Sequence, residues 1–236
     1  MRVAALFDVH GNLPALEAVL AEPDVAAADL VLSGGDVVAG PFPAEAIALL
    51  RDLGERLVAV RGNGEREVLA AATEEARWCA ERLTRDQRKW LASLPATASV
   101  RVQALGDVLL CHGTPRSDEE MVTLVTPEER LATILDGVEA DIVLAGHTHS
   151  QLDRTVGGIR FVNAGSVGMP YELEPGARWT LLGPDVQLRR TEYDLDAAAE
   201  RIRASGFPDA EAFAREYVLA RVGAEEAARY FEGLVR

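Results

Sequence analysis

Five short apolar runs in this chain each break off into a glycine-containing turn, and every turn carries oxygen or nitrogen side chains. Residues 3–7 lead to Asp8-Val9-His10-Gly11-Asn12, and residues 29–33 to Gly34-Gly35-Asp36. Residues 57–60 lead to Arg61-Gly62-Asn63-Gly64-Glu65. Residues 108–111 lead to His112-Gly113-Thr114, and residues 141–145 to Gly146-His147-Thr148-His149. Short apolar runs bounded by glycine read as buried strands. Helix-like stretches separate the first three: Asn12 is placed to cap one, with Pro14 in its first turn, and Pro43 opens the next. This βαβαβ order predicts parallel strands joined by crossover helices. In such sheets ligands gather at the carboxyl ends of the strands. Asp8 and His10, two apart at a strand tip, project to the same side.

Further along, residues 65–95 have a helical composition, with Thr84 and Gln87 spaced as a capping box and Pro95 as a stop. Gly106-Asp107 between two β-rich arms signals a hairpin. Thr126 and Glu129 are spaced as a second capping box, for a helix ending at Gly137. Beyond His149 the chain reads as antiparallel β, with strands over 159–162, 178–182 and 186–193. From Asp196 it reads as helices, broken at Gly206-Phe207-Pro208 and near Gly223.

With 236 residues and 48% hydrophobic composition, the chain is long enough to bury a sizeable core. Its net charge of −14 argues against long nucleic acids and anionic membranes as partners, since both need basic patches. A small phosphorylated substrate stays open, because bound cations reverse the local field in a pocket. There is no apolar run long enough for a membrane span and no signal-peptide pattern. Two cysteines, Cys79 and Cys111, make no disulfide framework, and a cytoplasmic location is expected.

The chain has four histidines, and all four lie in those strand-end turns. Adding Asp8, Asp36 and Asn63 gives seven oxygen and nitrogen ligands, too many for one tetrahedral zinc but suited to two ions of higher coordination sharing a ligand. No cysteine stands at a ligand position, so a thiolate site is disfavoured. Manganese is expected first, with iron, zinc, nickel and cobalt as alternatives.

Asp8-Val-His10, Gly35-Asp36, Gly62-Asn63, His112-Gly113 and Gly146-His147-Thr-His149, in this order, resemble the calcineurin-like metallophosphoesterases. Asn163-Ala-Gly-Ser166-Val-Gly168 resembles the small bacterial and archaeal branch of that family. The resemblance implies a four-layer α/β/β/α sandwich of two mixed sheets, with the metal site at strand carboxyl ends. It implies that Asp8, His10 and His149 hold one metal, that Asn63, His112 and His147 hold the other, and that Asp36 bridges them. It also implies in-line attack on a phosphate ester by a metal-bridging hydroxide, with no covalent enzyme intermediate. The expected division is a phosphoesterase domain over 1–193 and a helical extension over 194–236 packed on it, with a cap over the site or a homodimer surface as alternatives.

One position departs from the pattern. Many family members carry a histidine after Gly-Asn that protonates the leaving group; here Gly64 stands there, followed by Glu65. Water or Glu65 is then the expected acid. Because a positioned acid is worth about 10²–10⁴-fold, phosphodiesters and esters with good leaving groups are the expected substrates. Arg61, Arg66 and Arg116 flank the ligand turns and are candidates to grip a substrate phosphate, with solvated or structural ion pairs as the competing reading. Asn12 is a candidate substrate contact as well as a helix cap. Trp78 and Trp90 read as core residues rather than a stacking platform.

Two other functions compete. A non-catalytic metal-binding scaffold of the same fold is supported only by Gly64, since all seven ligand positions are intact. A metallo-β-lactamase-like hydrolase would need His-x-His-x-Asp-His, whereas Ser150-Gln151-Leu152 follows His149.

Overall fold

The computed structural model describes residues 1–234. The last two positions of the 194–236 extension lie outside the described residues. Among the described residues, ten strands form two five-stranded sheets. The first sheet contains β1 (Val3–Leu6), β2 (Leu30–Ser33), β3 (Leu57–Ala59), β9 (Ala177–Leu182) and β10 (Val186–Thr191), in the order β10-β9-β1-β2-β3. The second contains β4 (Thr97–Val102), β5 (Gly106–Cys111), β6 (Ile142–Ala145), β7 (Gln151–Val156) and β8 (Ile159–Ala164), in the order β4-β5-β6-β8-β7. Both are mixed. β1, β2 and β3 run parallel, and β9 joins β1 antiparallel. β5, β6 and β8 run parallel, while β4 and β7 pair antiparallel at the edges.

Strand periodicity explains why the sheets stack. Val3, Ala5 and Phe7 point into a core shared with Val108, Leu110, Ile142 and Leu144 of the facing sheet. The alternate residues Ala4 and Leu6 point outward, onto helices of the first sheet's outer layer. In β6, Ile142 and Leu144 face the first sheet, while Val143 and Ala145 pack with Leu131 and Ile134 beneath the opposite outer layer. Burial on both faces is why these strands read as continuous apolar runs rather than alternating ones. The result is the expected α/β/β/α sandwich.

The helices are α1 (Leu13–Leu20), α2 (Pro23–Ala26), α3 (Pro43–Arg51), α4 (Asn63–Ala70), α5 (Glu74–Arg82), α6 (Arg85–Ser93), α7 (Glu128–Leu135), α8 (Leu195–Arg203), α9 (Ala210–Phe213) and α10 (Ala224–Leu234). Asn12 caps α1 by accepting from the Ala15 amide, and Thr84 and Gln87 form the expected box on α6. α8 and α9, with the π-helical turn Ala214–Leu219, put Ala199, Ile202, Phe213 and Val218 into the outer core of the first sheet. No described helix is long and apolar enough to cross a membrane.

Three local expectations need correction. The segment 151–156 forms β7, a strand hidden in the sequence by the charged pair Asp153-Arg154, which interrupts its apolar alternation. β8 lies parallel to β6, not antiparallel, because β7 intervenes in sequence and reverses the chain. The box at Thr126 does not form. α7 starts without a side-chain cap, because the Thr126 hydroxyl accepts from the Thr123 amide and is engaged by Glu232 of α10.

Candidate metal centre

The seven candidate ligands converge at the carboxyl ends of β1, β2, β3, β5 and β6. Their backbones are unusual. Asp8, His10, Asp36, His147 and His149 all have φ between 47° and 67°, and Ala71 is the one other described non-glycine residue with positive φ. Each left-handed non-glycine residue costs on the order of 1–3 kcal/mol, and such strain clusters at functional sites. The turns therefore sacrifice backbone comfort to aim side chains inward. Packing is equally tight at Gly62 and Gly64. A Cβ on Gly62 would lie 2.2 Å from Asp36 Oδ1, and one on Gly64 would lie 2.8 Å from the same atom.

Two groups result: Asp8, His10 and His149 in one, and Asp36, His112 and His147 in the other. Asn63 Oδ1 lies 3.1 Å from His112 Nε2, which places it with the second group. Asp36 Oδ2 stands 3.7 Å from His10 Nε2 and 3.4 Å from His112 Nε2, so it faces both groups. Its other oxygen accepts from the Gly64 amide at 2.6 Å.

Backbone carbonyls orient the rings. Nδ1 of His10 meets Ala39 O at 3.1 Å, Nδ1 of His112 meets Gly34 O at 2.9 Å, and Nδ1 of His149 meets Met169 O at 3.0 Å. A nitrogen facing a carbonyl must donate, so each neutral ring turns an Nε2 lone pair inward. His147 instead places Nε2 against Glu119 O, which leaves Nδ1 for the site.

This arrangement fits cations and little else. His10 Nε2 and His149 Nε2 face each other at 3.1 Å, two lone pairs with no proton between them in the neutral tautomers. Asp8 Oδ1 is buried without any hydrogen-bond donor, although His149 Nε2 lies 3.5 Å away. An unpaired buried carboxylate oxygen is costly unless a cation satisfies it. The donors are carboxylate, amide and imidazole, the set that borderline divalent ions take.

The electrostatics agree. Burial opposes a charged His112, yet the Asp36 and Asp8 carboxylates outweigh it and raise the ring to about 10. Burial favours protonation of Asp36, but His112 and His10 hold it well below the ordinary carboxylate range. Burial and the neighbouring His112 lower His147 to about 4, and burial with His149 lowers His10. The site thus favours positive charge at its centre, beside His112, while disfavouring it on His10 and His147.

A second layer holds the ligands. Ser166 Oγ donates to Asp8 O, Gly168 N donates to the same carbonyl, and Asn163 Nδ2 donates to Gly146 O. The Asn163–Gly168 turn therefore ties β1 to β6 beneath the site. Tyr171 stacks on His149 at 5.4 Å, and Phe231 of α10 packs on Tyr171 at 5.7 Å. Sequence reasoning missed Tyr171, Met169, Ala39 and Glu119. Three of these act through a backbone carbonyl, which side-chain identity does not advertise.

Glu65 is not placed as an acid. It is fully buried and accepts from the amides of Asp36, Val37 and Gly62 at 2.7–2.8 Å, so both oxygens are engaged as acceptors. Burial and Asp36 push its carboxyl up, against the pull of those three amides. Asn12 is likewise buried. It caps α1 and donates to Gly168 O, so its amide is spent on the scaffold rather than on a substrate. Arg66 and Arg116 do line a cavity beside His112, together with Arg61. Arg66 pairs with Asp118 and Glu119, and Arg116 pairs with Glu120.

Residues 1–182 match the calcineurin-like phosphoesterase superfamily domain. The chain belongs to that superfamily. As a member it is a metal-dependent phosphoesterase; the family works with two metals, and this phosphoesterase presents two candidate metal-binding groups. It is 27% identical to a phosphodiesterase of Escherichia coli named YfcE, over 79% of this chain and 89% of that one. It is 24% identical to an uncharacterised protein of Methanocaldococcus jannaschii, over 88% and 94% of the two chains. A metallophosphoesterase structure from Sphaerobacter thermophilus superposes with a TM-score of 0.75 at 26% identity, covering 92% of this chain and 98% of that one.

Proposed function

We propose that this phosphoesterase hydrolyses phosphodiesters, and phosphate esters with good leaving groups, through two divalent ions held among the strand-end ligands. The observation that carries the reading is Asp36 Oδ2, which faces His10 of one group and His112 of the other. Asp8, His10 and His149 would hold one ion, Asn63, His112 and His147 the other, and Asp36 both. When bound, two such ions acidify an attacking water and neutralise charge on the phosphoryl oxygens. The hard oxygen and imidazole set makes Mn²⁺ the first ion to test.

The chain's own residues supply position. Carbonyls at Ala39, Gly34 and Met169 lock the rings before substrate arrives. Asn63 Nδ2 donates one hydrogen to Glu67 and keeps a second for a phosphoryl oxygen. At Gly64 there is no side chain, and Glu65 is occupied by three amides. Solvent therefore protonates the leaving group, which favours esters whose alcohol is already acidic.

The test is hydrolysis of bis-p-nitrophenyl phosphate by metal-stripped protein with and without Mn²⁺, beside Asp36→Ala. Turnover that needs metal and falls at least about 100-fold in the variant is expected. Two bound metals without turnover across several ions and esters would overturn the reading in favour of a metal-binding scaffold. Equal rates on p-nitrophenyl and simple alkyl esters would remove the leaving-group argument.

A further inference from the structure

We infer that the cavity beside His112 is a subsite for a second phosphate of the substrate, and that Arg61 is the residue that recognises it. The inference rests on the phosphoester reading of the metal centre. The cavity measures about 240 Å³ and is lined by Arg61, Arg66, His112, Thr114, Arg116 and Asp118, among others. His112 belongs both to this lining and to the second metal group. His112 is the one member of the metal groups in this lining, and the subsite requires a phosphate ester seated at the metals to extend one arm past it to this wall. Pockets that take a whole small ligand run to about 300–1,000 Å³, so a cavity of this size suits one arm rather than a complete molecule.

Charge identifies the arm. The chain carries −14 overall, yet three guanidiniums share this one wall. Two of them are already matched: Arg66 with Asp118 and Glu119, and Arg116 with Glu120. Arg61 is different. Among the described residues it has no carboxylate within ion-pair distance and no side-chain hydrogen bond, while its backbone amide is fixed to Pro95 O at 2.9 Å. It stands two residues before Asn63, just beyond the end of β3. The wall thus carries one uncompensated cation on a fixed stretch of backbone. A guanidinium offers a planar fork that matches two phosphate oxygens. The chemical class is a phosphate ester bearing a second phosphate, as in a nucleoside bisphosphate.

The experiment compares adenosine 5′-phosphate with adenosine 3′,5′-bisphosphate as inhibitors of bis-p-nitrophenyl phosphate hydrolysis by the Mn²⁺-loaded protein. In the wild type the bisphosphate should bind about tenfold to a hundredfold tighter, the worth of one charge-assisted contact. In Arg61→Ala the ratio of the two inhibition constants should collapse to about one, and Arg61→Lys should restore part of it. Bound-metal content and circular dichroism show whether each variant folds, and the Lys variant reports independently of Ala. Equal inhibition by the two nucleotides in wild type, or an undiminished ratio in Arg61→Ala, overturns the subsite while leaving the phosphoesterase reading standing. Failure of the wild type to turn over bis-p-nitrophenyl phosphate with any metal strikes the underlying reading instead.

Discussion

Asp36 is the residue on which most of the geometry depends. One oxygen faces two histidines, and the other is held by the Gly64 amide at 2.6 Å. Any residue but proline could donate that bond, so what distinguishes glycine at position 64 is space. Alanine is ordinarily about 1 kcal/mol better than glycine inside a helix. At position 64, however, a Cβ would lie 2.8 Å from Asp36 Oδ1 and 3.2 Å from the Ala39 Cβ. Gly64→Ala should therefore destabilise by about 1–3 kcal/mol, the cost of overpacking, and should weaken metal binding. Thermal unfolding and metal titration check both, and a rise in Tm would contradict the argument. Glu65 makes a complementary case. Glutamine is nearly isosteric, but its NH₂ would face an amide N–H where the carboxylate now accepts from three. Glu65→Gln should cost about 2–4 kcal/mol in metal-free protein, read as a lower urea midpoint. A variant of wild-type stability with a shifted pH–rate profile would instead restore Glu65 as an acid.

At the scale of elements, α10 is the least obvious component. Its Glu232 pairs with Arg130 at 2.8 Å and bonds to Thr123 and Thr126, so the C-terminal helix is clamped to the segment before α7. Both ends of the ion pair are at least three-quarters buried. The preceding residue, Phe231, leans on Tyr171, which stacks on the candidate ligand His149. Helix and metal group are thereby in mechanical contact. Glu232→Ala leaves Arg130 partly buried without its partner, and a loss of about 2–4 kcal/mol is expected. If α10 also steadies His149, the same variant should bind metal more weakly, and calorimetric titration with Mn²⁺ would detect it. Unchanged stability and affinity would reduce α10 to a passive cover.

For the molecule as a whole, the two sheets and the metal centre form one energetic system. The strand ends carry five strained residues, two buried carboxylates and four imidazoles. Asp36 and His112 partly compensate one another in that cluster, and bound cations are expected to stabilise it further. An ion present at about 100 times its Kd adds about 2.7 kcal/mol per site. For a chain of this size each kcal/mol moves Tm by about 2–4 °C. Chelation should lower Tm by roughly 5–10 °C for each ion lost, and scanning calorimetry with and without chelator measures it. A Tm indifferent to metal would mean that the groups do not bind ions in the folded state.

Much of the site was legible before the fold was known. Strand periodicity, glycine turns and ligand chemistry are local properties, so Asp8, His10, Asp36, Asn63, His112, His147 and His149 could be gathered from strand ends alone. The short apolar runs predicted parallel strands with crossover helices, and the resemblance of five motifs implied the sandwich. The remaining features required segments far apart in sequence to meet. Glu65 has the composition of an acid, and only the approach of the 36–37 backbone makes it a staple. Thr126 has the spacing of a cap, and Glu232, 106 residues away, takes its hydroxyl. Arg61, Arg66 and Arg116 all flank ligand turns; Glu120 is a local partner for Arg116, whereas only the tertiary approach of Asp118 and Glu119 matches Arg66 and leaves Arg61 without a counter-charge among the described residues. Local chemistry determined which atoms could bind metal; the sheet order decided which of them come together in one group, because that depends on distances no single segment contains.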